Sequence, residues 1–206
     1  MNSVQKSSLI FLLELLSALL LAGCQSLMTF TPEQAALQNA RDYDLGNDYT
    51  LDPNSVQVLQ SLRLQDSTLV LVSFQENRRG SRMQCLFHFE THRTSIGTWV
   101  SGSGGGGCSM AGQDQTPLEV GVGKSMNSQP GRLDYTEVNG FVNQEDIQSV
   151  KVTWQDGETQ QVEVVNGTYL AARVGSQEIE KIEGLDASGG LVYTYTPPEP
   201  APGKSP

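Results

Sequence analysis

His88, Glu90 and His92 are the residues whose types and spacing come closest to a reaction centre. Positions two apart on a strand share a face, so two imidazoles and a carboxylate would point the same way. Such a set could hold zinc or copper. The chain has no other histidine, which limits every other imidazole-dependent chemistry. Cys85 completes a C-x2-H-x3-H spacing, but it stands on the opposite parity. Alternating polar residues on a strand are also the ordinary pattern of a solvated face. The expectation is a solvated face with no bound metal, and these three residues are the place to look for one.

Other chemical motifs fail on context. Gly102, Gly104 and Gly107 match G-x-G-x-x-G in form, but a dinucleotide site needs a helix to follow, and Cys108 to Gln113 has no helical period. Gly107-Cys108-Ser109-Met110-Ala111 has the outline of a nucleophile elbow with Ala in place of the last Gly. No histidine follows it in the order that such hydrolases need. The chain's 23 carboxylates offer many pairs for glycoside hydrolysis, and none is marked by sequence. No catalytic residue and no cofactor are therefore assigned.

The elements around these residues are mainly strands. Thr31 as N-cap, Pro32, Glu33 and Gln34 open a helix that ends near Tyr43, with Ala36, Leu37 and Ala40 as its apolar stripe. Val56, Val58, Leu62 and Leu64 share one parity, with Gln60 the exception. Leu69 to Phe74 is apolar on both parities, as in a strand covered on both faces. Glu76 to Gly80 reads as a polar hairpin loop. Met83, Cys85, Phe87 and Phe89 alternate with polar residues, and Thr98 to Val100 is a last short strand. One helix followed by consecutive strands predicts a helix on an antiparallel meander over 31–112. The run Gly102 to Gly107 reads as the boundary to a second module, an antiparallel β-sandwich over 113–195. Residues 196–206, rich in proline, read as a disordered tail.

Two turns fix the register of the second module. Asn166-Gly167 suits a two-residue type I′ hairpin, which would set Val164 opposite Tyr169 and Val162 opposite Ala171. At Asp156-Gly157 a two-residue loop would set Val150 against Glu163. A three-residue loop, Gln155 to Gly157, sets Val150 opposite Val162 instead and is preferred. Val150, Val152, Trp154, Val162, Val164 and Tyr169 are then expected to face inward together. Val138-Asn139-Gly140 and Val165-Asn166-Gly167 also echo one another, as two similar hairpins or as chance.

The N-terminus carries a different signal. Lys6 precedes an apolar run that Glu14 interrupts. Leu15 to Ala22 continues it, and Leu21-Ala22-Gly23-Cys24 ends it. This resembles the lipobox of bacterial lipoproteins. The resemblance covers residues 1–25. It implies removal of 1–23 as a signal peptide, acylation of Cys24, a tether over 24–30 and a cell-envelope location. Gln25 at the sorting position implies the outer membrane, facing the periplasm, if the source has one. Otherwise it implies the outer face of the cytoplasmic membrane. An exported chain with two remaining thiols most often pairs them, so a Cys85–Cys108 disulfide is expected. It would be worth about 3 kcal/mol on a chain-entropy basis.

Loss of 1–23 removes Lys6 and Glu14, so the formal charge stays at −10. An acidic surface disfavours nucleic acid and anionic head groups, which leaves the lipid on Cys24 as the link to a membrane. The expected function is a lipid-anchored, non-catalytic binding or assembly module with an unidentified protein or small-ligand partner. A ligand- or metal-binding accessory lipoprotein and an envelope hydrolase using carboxylates are the alternatives. A deep acidic pocket between the sheets would count against the first.

Overall fold

The computed structural model describes residues 29–43, 49–110, 116–125 and 133–198. Residues 1–28, which hold Cys24 and the expected signal peptide, and residues 199–206 of the expected tail lie outside the described residues. The described residues are mainly β with one α-helix and antiparallel sheets, as the alternating pattern predicts. In order it runs through α1 (Pro32–Arg41), β1 (Tyr49–Leu51), β2 (Gln57–Leu64), β3 (Ser67–Arg78), β4 (Ser81–Arg93) and β5 (Trp99–Met110). It continues through β6 (Gly121–Ser125), β7 (Tyr135–Phe141), β8 (Ser149–Trp154), β9 (Thr159–Glu163), β10 (Thr168–Val174), β11 (Ile179–Leu185) and β12 (Leu191–Tyr195).

These strands make three sheets. The first runs β1-β3-β4-β5 with β2 also on β3, the second β10-β7-β6 and the third β12-β11-β8-β9. Parity stacks them. On β3, Val70, Val72 and Phe74 face α1, and with Phe87 and Phe89 of β4 they bury Ala36 and Ala40. Leu69 and Leu71 face the other way, onto Tyr135, Leu170 and Ala172 of the second sheet. The alternate residues of that sheet, Val138, Tyr169 and Ala171, meet Val150, Val152 and Trp154 of the third. The second sheet is therefore covered on both faces, and the two halves of the chain share a core.

Local signals explain the ends. Thr31 Oγ1 accepts a hydrogen bond from Gln34 N–H (3.2 Å), and Gln34 Oε1 accepts one from Phe30 N–H (2.9 Å), a capping pair displaced by one residue. Asn166 (φ 53°) and Gly167 (φ 69°) form the type I′ turn. The loop between Trp154 and Glu158 has three residues, with Gly157 at φ 84°, and Val150 lies opposite Val162. All six residues expected to face inward line the core between the second and third sheets.

Several expectations fail for identifiable reasons. Val164–Tyr169 and Val162–Ala171 are not ladder pairs. Only Val165 and Thr168 bridge, because the turn is a corner from which β9 joins β8 and β10 joins β7. Gln60 breaks the β2 pattern because the register shifts between Val58 and Gln60. Beyond that bulge Leu62 and Leu64 face the second sheet, while Val58 faces the helix. Glu76 is not in a loop. β3 runs on to Arg78, and Glu76 is buried, 2 % exposed. Asn139-Gly140 is mid-strand in β7, where a Cβ at Gly140 would lie 1.8 Å from the Glu119 carbonyl oxygen.

The largest difference is the glycine run. Gly102 to Gly107 is not a connector but part of β5, twelve residues long and paired along β4. A Cβ at Gly104 would stand 2.6 Å from Phe89 Cδ1, and one at Gly106 2.6 Å from Phe87 Cγ. The phenylalanine rings lie over the strand where its own side chains would be, as in aromatic cover of edge glycines. Cys85 and Cys108 stand opposite each other in this pair. They form the expected disulfide, with Cα atoms 4.0 Å apart and a sequence separation of 23.

Candidate functional site

β5 and β6 are edge strands of adjacent sheets, and both are rich in glycine. Between them lies a cleft of about 550 Å³, walled by Gly104 to Gly107 on one side and Gly121 to Ser125 on the other. β4 and β7 contribute His88, Tyr135, Glu137 and Asn139 to its polar lining, and β6 adds Lys124 and Ser125. Parity brings them together. On β7, Tyr135, Glu137 and Asn139 alternate toward the first sheet. On β4, Leu86 packs into that same interface, and His88 is two residues on.

The centre of the cleft is a contact between His88 Nδ1 and Glu137 Oε1. The contact is not a well-aligned hydrogen bond, since Nδ1 has no hydrogen-bond partner among the described residues. Asn139 Nδ2 donates to the same Glu137 oxygen at 3.1 Å. Two absent side chains make room. A Cβ at Gly123 would lie 2.5 Å from Glu137 Oε1, and one at Gly105 3.1 Å from His88 Cε1. The glycines on this face thus admit the imidazole and the carboxylate, while Gly104 and Gly106 admit phenylalanines on the other.

Burial sets the electrostatics. Glu137 is 1 % and Glu90 3 % exposed, and each has a carboxylate oxygen with no hydrogen-bond partner among the described residues. Tyr135 is held well above the usual phenol range, first by burial and then by the charges of Glu137 and Glu90, against a hydrogen bond with Ser125. Both carboxylates therefore act on one phenol in a site short of donors. Lys124 on β6 lines the cleft but is paired with Glu178.

His88, Glu90 and His92 do share a face, but that face is not solvated. It packs toward the second sheet, where His88 turns to Glu137 and Glu90 is buried. His92 lies opposite Ser67 on β3 and Val100 on β5. The metal triad is not assembled. Among the described residues, the one group of three donor atoms within 4.8 Å of one another belongs to Glu76, Cys85 and Cys108. Ser109 of the elbow-like segment is in β5 opposite Gln84. Glu137 and Asn139 were not singled out by sequence. Their alternation with Tyr135 was the available signal, but nothing in it identifies the inward face.

No protein-family model matches the chain, and neither a curated protein nor a solved structure is significantly similar to it.

Proposed function

We propose that the protein is a lipid-anchored, non-catalytic binding module of the cell envelope, and that its ligand enters the cleft between β5 and β6 with a cationic donor group. One observation carries this reading: Glu137, in a glycine-walled cleft, has a buried carboxylate oxygen to which none of the described residues donates. Burying such a group costs about 1–3 kcal/mol, and an ammonium or guanidinium would offset that. Glycine walls leave room for an extended ligand along the two strand edges. The hydrolase alternative has less support, because Glu90 does not line the cleft and no second carboxylate does. The apolar interior between the second and third sheets is filled with side chains, and the cleft with Glu137 lies at the edges of the first and second sheets instead.

The binding test is titration of the protein with tri-lysine and with tri-glutamate, followed by backbone NMR. Tri-lysine is expected to shift Gly105, Gly123 and Tyr135, and Glu137→Gln to abolish the shifts. No shift at those residues with millimolar tri-lysine would refute the site. Anchoring is tested separately. Cys24→Ala is expected to accumulate as unprocessed precursor, or as a soluble form if another peptidase cuts, and normal maturation with detergent-phase partitioning of that variant would end the lipoprotein reading.

A further inference from the structure

Glu76 lies where a structural disulfide has no need of it. Its carboxylate is within 4.8 Å of the sulfurs of both Cys85 and Cys108. It is 2 % exposed, and Oε2 has no hydrogen-bond partner among the described residues. Leu51 of β1 and Met83 of β4 stand opposite it in the sheet, so neither cross-strand neighbour supplies a charge. Burial pushes its pKa above the ordinary carboxylate range, and the charge of Arg78 opposes that shift. A buried acid beside a disulfide, with one carboxylate oxygen that no described residue hydrogen-bonds, needs an explanation, and proton transfer to sulfur is the chemistry its position suggests.

The two cysteines also differ in exposure as residues. Cys85 is completely buried, whereas Cys108 on the edge strand is only half-buried. We infer that Cys85–Cys108 is an exchangeable disulfide and that Glu76 is the proton donor to its buried sulfur.

The step balances with a dithiol as reductant. A thiolate of the dithiol attacks Cys108 Sγ. The Cys85–Cys108 bond breaks, and its electron pair leaves on Cys85 Sγ. A bare thiolate there would be desolvated and costly, so Glu76 gives it a proton. The second thiolate of the dithiol then attacks its own sulfur in the mixed disulfide and expels Cys108, which takes a proton from water. The dithiol becomes a disulfide, the cysteine pair gains two electrons, and Glu76 recovers its proton from solvent. The same three donors would suit a thiolate-bound metal, but with the sulfurs bonded to each other only the carboxylate remains as a ligand.

The test is the rate at which dithiothreitol reduces the whole oxidised protein, read by acid quench, alkylation and mass. Glu76→Gln keeps the size and removes the acid, and it is expected to slow reduction about tenfold or more while leaving the folded spectrum unchanged. The unmodified protein, which needs no variant to fold, is expected to reduce at least about twofold more slowly in D2O at equal thiolate concentration, and Glu76→Gln to lose that difference. Equal rates for the two proteins, or no solvent isotope effect in the unmodified one, would leave the disulfide purely structural and overturn the assignment.

Discussion

The second sheet has two neighbours, and it meets them in opposite ways. Toward the third sheet it presents Val138, Tyr169 and Ala171, which close on Val150, Val152, Trp154 and Ile182 with no charged group among them. Toward the first sheet it presents Leu170 and Ala172 at one end, but Tyr135, Glu137 and Asn139 along β7. Both interfaces follow the same period-two rule. What separates them is the edge. The apolar interface has side chains on every facing strand. The polar one runs out onto β5 and β6, where glycines leave a gap instead of a packed layer. A buried charge is tolerable where water or a ligand can reach it, and costly in a filled core.

β5 itself shows the same division along its length. Its start is covered. Trp99 N–H donates to the Thr29 carbonyl at 2.8 Å, Thr29 Oγ1 donates to the Trp99 carbonyl, and Asn39 Nδ2 donates to the Gly102 carbonyl at 3.3 Å. Natural sheets blunt their edges in this way. Further along, Gly104 to Gly107 border the cleft.

Truncation in the filled interface should have the largest effect. Trp154→Ala is expected to cost about 3–5 kcal/mol in denaturant unfolding, as for large buried aromatics. A loss below about 1 kcal/mol would mean that this interface is not the packed core described.

Alkaline unfolding compares the two interfaces through one tyrosine each. Tyr169 in the apolar core donates its hydroxyl to the Glu119 carbonyl at 3.0 Å, and burial raises its pKa above the ordinary value of 10, with Tyr195 and Glu119 adding to the shift. Tyr135 is raised in the same direction. A raised pKa in the folded state gives stability that is whole below pH 10 and is lost as pH climbs toward the folded pKa, because the unfolded phenol ionises first. Each tyrosine should then remove about 1.4 kcal/mol per pH unit above 10. Tyrosinate absorbance is expected to rise for both only with global unfolding. Tyr135 ionising in the native protein near pH 10 would show that the cleft is more hydrated than its burial indicates.

The smallest effect is expected in the cleft. His88→Leu leaves Glu137 with Asn139 as its neighbouring donor and should cost about 2 kcal/mol near neutral pH. Glu137→Gln should cost less, because it removes the buried charge along with the contact. If the second variant proves the more destabilising, the His88–Glu137 contact is a true stabilising pair, and the difference between the two interfaces is smaller than the glycine edges imply.

Much of the fold follows from neighbouring residues alone. The cap at Thr31, the Asn166-Gly167 turn, the three-residue loop at Gly157 and the inward parity of Val150, Val152 and Trp154 depend on contacts a few residues apart, so the sequence specifies them directly. The pairing of Cys85 with Cys108 follows from thiol count together with the export that the lipobox resemblance implies. The errors all concern distant partners. Gly102 to Gly107 reads as a linker because glycine strings have no strand propensity of their own, and pairing with β4 under the rings of Phe87 and Phe89 holds them extended. His88, Glu90 and His92 read as solvated because parity says which residues share a face and not what covers it. That cover is β7, some fifty residues further along the chain, and it brings His88 to the cleft beside Glu137 while Glu90 is buried outside the cleft's lining.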